Sequence, residues 1–385
     1  MSKLLKPAIL SLSLLTVMSG AAVAPALAEI QSAFPDTSQT TIKLILTVPA
    51  ISIIIFSLVS GRLSRTLSKR TLLFIGIFFY LLGGLGGGLA NSIEMLLAFR
   101  AVLGIGVGLI MPMSTGLIAD LFSDKEKATM MGYSTASSNL GGIIATLLAG
   151  VLASVHWRYS FGVYSIGLLV FSLVFISIPE TRRKINREGI SSGMPLVVFC
   201  WAVATFFLSM TFYTLPVNLA IYIKESGMGS STAAGVALSV STGSGFVAGI
   251  LYSKVKVLLG RFLPAFLCGL MATGFYLLSF VDSYSLVLMA VMVVGFGLGW
   301  SMPTLFMGAT KAGGEGNGVQ TMSVVSSTAF LGQFMSPVVF DYLGKLAGND
   351  SIQFTFSSIA ILFTFFFVVC LTSLYYIRSP NQEAA

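Results

Sequence analysis

Charge is what this sequence has least of. Only 9% of its 385 residues are Asp, Glu, Lys or Arg, where a water-soluble domain carries about a quarter. With 55% of residues hydrophobic and a mean hydropathy of +0.92, the polar surface that would cover a soluble globule is missing. Histidine occurs once, at His156, and cysteine three times. Cys200, Cys268 and Cys370 each lie inside an apolar run with no C-x-x-C spacing, which reads as packing and not as a metal or disulfide site. No G-x-x-x-x-G-K-[ST] phosphate loop is present. A membrane-embedded enzyme would need acidic, histidine or nucleophilic groups clustered within reach of one another. One histidine, and carboxylates confined to the ends of the apolar runs, exclude that class.

Long apolar runs fill the space that charge leaves. A helix crosses a bilayer with about 20 apolar residues, and twelve stretches qualify: 7–28, 40–61, 71–90, 94–119, 129–153, 159–178, 194–222, 232–254, 262–281, 284–309, 319–343 and 353–377. A motif groups them. Gly104-Ile-Gly-Val-Gly-Leu-Ile-Met-Pro112 recurs as Gly295-Phe-Gly-Leu-Gly-Trp-Ser-Met-Pro303, an offset of 191 residues (104 to 295). Pro25 and Pro216, Arg70 and Arg261, and Gly141 and Gly332 share that offset. The chain is therefore read as two parallel copies of one six-span unit. They occupy 1–178 and 194–385, joined by a polar, basic linker at 179–193. The expected fold is an all-α membrane protein of twelve transmembrane helices in two six-helix repeats. Lys3, Lys6, the first apolar run and Ala26-Leu27-Ala28 also have the form of a cleavable signal peptide. The length of the run and the repeat partner of Pro25 favour its retention as the first span.

Of 22 Lys and Arg, four (Lys43, Arg158, Lys224 and Lys345) fall in one set of connections and Arg100 lies inside a span, leaving 17 on the other side. The positive-inside rule assigns that basic side, the linker and both termini to the cytoplasm. The formal charge of +8 then faces anionic lipid and is no indication of nucleic acid.

Breaks and small residues mark the working parts. Gly20 with Pro25, and Pro216 beside Asn218, are expected to break the first and seventh spans where they line a cavity. Gly104 and Gly108, with Gly295 and Gly299, are small-x-x-x-small pairs that let helices approach closely, and Pro112 and Pro303 are expected to bend those helices. Gly141 repeats as a further packing position at Gly332. Arg100 is the only basic residue deep in a span, and a charge there is costly. Two roles stay open for it: a functional charge, or a structural Arg bonded to carbonyls of a broken helix near Pro25. Cavity candidates beside it are Met111, Tyr133, Asn139, Tyr213, Asn218, Met302 and Gln333. No carboxylate is mid-span, so Glu29 and Asp341 stand with Arg100 as the candidates for coupling to a proton.

At these residues the chain resembles the major facilitator superfamily, over essentially its whole length, and within it the bacterial twelve-span drug/proton antiporters. Gly61, Leu63, Lys69 and Arg70 fit the loop signature G-x-L-a-D-r-x-G-r-R/K, with Arg65 in place of its Asp and Ser68 in place of its Gly. Leu96, Arg100, Gly104 and Gly106 resemble the fourth-span motif, with Leu103 at its usual Gln. Gly141 and Gly150 fit the fifth-span motif, where Ala145, Thr146 and Ala149 replace Gly, Pro and Gly. Trp157-Arg158 with Phe161, and Pro179-Glu180-Thr181, are similar to the family's half-ending.

The resemblance implies a secondary transporter in the cytoplasmic membrane, working as a monomer on a small molecule by alternating access, with no cofactor and no metal. Its partners would be the substrate, a proton and membrane lipid. Two readings stay open: proton-coupled efflux of an apolar or cationic compound, or transport of an anion held by Arg100. The family's loop Asp is thought to latch the cytoplasmic side by capping a helix, which Arg65 cannot do at a positive helix N-terminus. Arg62 or Arg65 pairing with Asp120, Asp124, Glu126 or Glu315 would be a charge-swapped latch; solvated loop charges are the other reading. The topology is directly testable. Reporter fusions after Ser192 and after Glu383 should both report cytoplasm, and a reporter found outside at either place would break the assignment.

Overall fold

The computed structural model of the protein describes residues 4–64, 66–178, 195–314 and 318–378. Arg65, Glu315 and the linker 179–193 lie outside the described residues, as does the side chain of Asp120. All regular structure among the described residues is helical. The N-terminal copy comprises α1 (Leu5–Ala21), a 3-10 turn (Ala24–Ala26), α2 (Leu27–Ala33), α3 (Gln39–Leu63), α4 (Lys69–Gly87), α5 (Ile93–Leu121), α6 (Asp124–Val155), a 3-10 helix (Trp157–Ser165) and α7 (Ile166–Ser177). The second copy comprises α8 (Leu196–Glu225), α9 (Ser231–Leu259), α10 (Leu263–Ser279), α11 (Tyr284–Gly313), α12 (Gly318–Leu346) and α13 (Ile352–Arg378). Serine starts several of these helices. The hydroxyls of Ser38, Ser68 and Ser92 accept from the backbone N–H groups of Thr41, Thr71 and Met95, satisfying donors that a helix leaves free at its start.

Among the described residues, eleven helical segments are long and apolar enough to cross a membrane. One of them, Ser231–Ser279, has 49 residues. At 1.5 Å per residue it would reach about 74 Å, more than twice the ~30 Å hydrocarbon thickness. It breaks at Gly260, whose φ of 48° is open to glycine at little cost, and α9 and α10 are its two spans. Twelve spans result.

The duplication is visible in the packing. α5 lies against α1, α3 and α4, and α11 lies against α8, α9 and α10, the same set one copy later. α6 packs on α1 and α12 on α8. The glycine pairs sit at these contacts, inside each half. A β-carbon on Gly104 would lie 2.5 Å from the Pro49 carbonyl oxygen, and one on Gly108 3.0 Å from that of Ile53, both on α3. Gly295 meets Ser241 and Ser244, and Gly299 meets Gly245 and Ala248, all on α9. Gly141 rests on Leu14 of α1 as Gly332 rests on Phe206 of α8.

The prolines behave unequally. Val23 N–H turns back to the Gly20 carbonyl, tightening the chain into a 3-10 turn that holds Pro25 and divides the first span. α8, however, runs unbroken through Pro216, against expectation. Around it the side chains of Thr211, Thr214 and Asn218 all bond carbonyls of their own helix. Pro112 and Pro303 likewise lie inside continuous helices.

The halves meet through α6 on α9 and α3 on α12, pairs that exchange under the repeat. The basic connections mark one end of the bundle. Every polar contact between described residues of the two halves lies toward the other end, called here the opposite face. Thr146 and Ser239 hydroxyls stand 2.6 Å apart, Thr232 donates to the Gly150 carbonyl at 3.3 Å, and two ion pairs close the rim.

Replacing Gly104 or Gly295 with Leu should therefore cost at least ~1–3 kcal/mol of overpacking and remove transport. Gly249→Leu, with open space around the glycine, should leave both yield and transport near wild type. Wild-type transport by the Gly104 and Gly295 variants would contradict the packing.

Candidate functional site

At the middle of the N-terminal half lies a knot built on Arg100, which is fully buried. Its Nε donates to the Ile45 carbonyl of α3 at 2.7 Å, Nη1 to the Tyr164 hydroxyl at 2.7 Å and Nη2 to the Ser19 carbonyl of α1 at 2.8 Å. The Tyr164 hydroxyl in turn donates to the Ser19 carbonyl at 2.8 Å. Both carbonyls are free for a definite reason. Ile45 would ordinarily receive the N–H of residue 49, which is Pro49 and has none. Ser19 would receive the N–H of Val23, which bonds Gly20 instead. One acceptor orphaned by a proline and one by a tightened turn are thus satisfied by one guanidinium. In lipid each would otherwise cost several kcal/mol.

Tyr213 of α8 reaches this knot from the other half. Its hydroxyl lies 3.4 Å from where a β-carbon on Gly20 would be, and it makes no hydrogen bond to a described residue. Met111, Met302 and Gln333 are half-buried, on α5, α11 and α12. Asn139 shares a stripe of α6 with Gly142 and Thr146, which face α9. Two other candidates do not join them. Tyr133 falls on the exposed stripe of Leu140, Leu147 and Val151, seven residues from Leu140, so the helical period turns it away from the bundle. Asn218 is buried with its amide donating to Thr214 of its own helix at 2.8 Å.

The loop between α3 and α4 is tied to its own half. Arg70 stacks over Phe74 and Phe175 and donates to the Phe175 carbonyl at 2.7 Å. Lys69 is buried and donates to the Gly116 carbonyl at 2.9 Å. Gly61 and Arg62 are exposed, and Arg62 has no ion pair with a described residue. Glu126 accepts from the hydroxyl and N–H of Ser123 and faces Lys6 at 4.0 Å. Those hydrogen bonds hold its carboxyl below the usual carboxylate range. In this conformation Glu126 is engaged within its own half and not by Arg62.

Glu29 and Asp341, expected as coupling groups, both lie on the opposite-face rim. Each binds a lysine of the other half: Glu29 with Lys224 and Asp341 with Lys43, both at 2.7 Å. Sequence reasoning counted Lys43 and Lys224 only toward topology. The usable signal was Lys43 itself, a lone cation inside the run 42–50, since a buried charge requires a partner.

The knot predicts an unusual equality. Arg100→Lys keeps the charge but cannot fork to three acceptors, so it should lose about as much thermal stability in detergent as Arg100→Gln, ~1–3 kcal/mol for each orphaned group. Full stability in both variants with lost substrate binding would instead place Arg100 on the substrate.

The family profile described as Major Facilitator Superfamily matches residues 9–337. Multidrug resistance protein 1 of Bacillus subtilis is 26% identical over 307 residues, 78% of this chain and 71% of that protein. Quinolone resistance protein NorA of Staphylococcus aureus is 29% identical over 182 residues, 46% of this chain and 45% of NorA. Among solved structures, a bacterial homologue of the human lysosomal transporter Spinster superposes with a TM-score of 0.77, covering 96% of both chains at 14% identity, a likeness of fold. With its twelve spans, its duplicated packing and a family match over most of its length, the chain belongs to the Major Facilitator Superfamily and is a multi-pass membrane transporter.

Proposed function

We propose that this transporter exports apolar or cationic small molecules from the cytoplasm in exchange for protons, as a monomer, by rocking 1–178 against 194–377. The basic face is cytoplasmic, so the conformation described here is sealed toward the outside. The observation that carries the substrate class is the saturation of Arg100. Its donors are committed to Ile45, Ser19 and Tyr164, and none of its surface is exposed. The one deep charge is therefore withdrawn from the cavity. The half-buried candidates Tyr213, Met111, Met302 and Gln333 are neutral and soft groups, which supports a cavity suited to varied apolar ligands. An anion would find no available cation at that depth. The proton exchange is supported by kinship with the multidrug and quinolone resistance proteins.

Inside-out membrane vesicles decide the matter. Lipophilic cations should accumulate when the vesicle interior is acid, and collapse of the pH gradient should stop them; small organic anions should not accumulate under either condition. Gradient-independent uptake of the anions would overturn the substrate class. Cation flux indifferent to the gradient would overturn the coupling.

A further inference from the structure

We propose that Lys43 and Asp341 form a releasable latch on the opposite face, with Glu29 and Lys224 as its more exposed companion. The proposal rests on the alternating-access reading above. The two pairs are reciprocal: the N-terminal half supplies the base of one and the acid of the other. Lys43 Nζ lies 2.7 Å from Asp341 Oδ1, with side chains 3% and 12% exposed. Lys224 lies 2.7 Å from Glu29, with side chains 37% and 28% exposed, and the hydroxyls of Ser231 and Ser32 extend that contact.

The value of charge here lies in how little it binds. An exposed pair contributes about 0–1 kcal/mol. A buried pair gains Coulomb energy but loses the hydration of both ions, so its net effect on closure is near balance. Asp341 is also incompletely satisfied, because its Oδ2 is buried without a hydrogen-bond partner. When the halves part, both ions regain water. Two apolar side chains at the same place would favour closure by about 1.5–3 kcal/mol each and return nothing on opening. The ionic rim is thus specific when shut and inexpensive to open.

Its neighbours set an asymmetry. Lys43 contacts the Asp341 carboxylate and also feels the negative charges of Glu225 and Asp350. Removing Lys43 leaves Asp341 buried without its counter-ion beside two like charges of its own half, a cost relieved when the seam opens to water, whereas neutralising Asp341 leaves Lys43 with two further acidic neighbours. A role as proton carriers does not fit: both pairs lie on the sealed side, away from the basic face, where an exchanged proton would have to leave.

The test reads accessibility and needs no substrate. Cys200, Cys268 and Cys370 are replaced by Ala, and a single cysteine is placed at Ser239, which is buried in the seam. A membrane-impermeant maleimide is then applied from the opposite face. Lys43→Met should raise the labelling rate by about tenfold or more, since an unpaired buried charge disfavours the closed state, and Asp341→Asn should raise it less. The double variant Lys43→Met with Asp341→Leu should return labelling to the parental rate or below, and slow transport. In a second series the cysteine is at Thr115, exposed near the basic end of α5, and labelled from the basic face; there the single variants should lower the rate. Parental rates in the single variants overturn the latch, as does a double variant that labels as fast as Lys43→Met. A rise at both positions means a loosened fold and also overturns it.

Discussion

A backbone carbonyl in lipid has no water to turn to, and that constraint organises the N-terminal half of this transporter. Pro49 removes the donor for Ile45, and the turn before Pro25 removes the donor for Ser19. Left alone, either group would cost several kcal/mol in a hydrocarbon interior. Arg100 converts the defect into a joint. By bonding α1, α3 and the Tyr164 segment from α5, it makes the irregular first span a fixed part of a rigid body. The burial of a guanidinium without a carboxylate follows from the same count: its partners are dipoles that need donors, not a counter-ion.

The second half solves the same architecture differently. The position 191 residues after Arg100 is Val291, fully buried, and α8 passes Pro216 without breaking. Its Thr211, Thr214 and Asn218 side chains bond carbonyls of the same helix. The two copies therefore share helix contacts while differing in whether the proline-bearing helix breaks. Shared contacts come from the glycines, because close backbone approach leaves no choice of side chain at Gly104, Gly108, Gly295 and Gly299. The helix interior is freer, and there the copies have diverged.

That division also explains what could be read in advance. Span number, duplication and glycine packing depend on local hydrophobicity and on residues whose absent side chains are themselves the signal, so they were legible. The fate of each proline was not, because similar proline-bearing runs end differently: the first span breaks at the turn that holds Pro25, whereas α3 and α8 run on through Pro49 and Pro216. The settings of Tyr133 and Asn218 were hidden for a related reason. Polarity in an apolar run marks a residue of interest, but the direction it faces is set by the helical phase relative to neighbours, and that phase needs the packed bundle. Lys43 and Asp341, 298 positions apart, carry no local sign of each other; only burial of both demands that they meet.

Arg100 and Lys43 are both buried cations, and the difference between them matches the difference in what their surroundings must do. A guanidinium is planar and forked, and Arg100 directs that geometry at acceptors within one half. An ammonium is a compact point charge with strong hydration, and Lys43 meets a single carboxylate oxygen across the seam. Exchanging the two would defeat both. Lysine at 100 would leave acceptors bare in lipid, while a bidentate arginine at 43 could engage the free Oδ2 of Asp341 and bind the halves too firmly to part. The side chain at each site is the one whose hydration and hydrogen-bond count suit a permanent joint in one case and a breakable contact in the other.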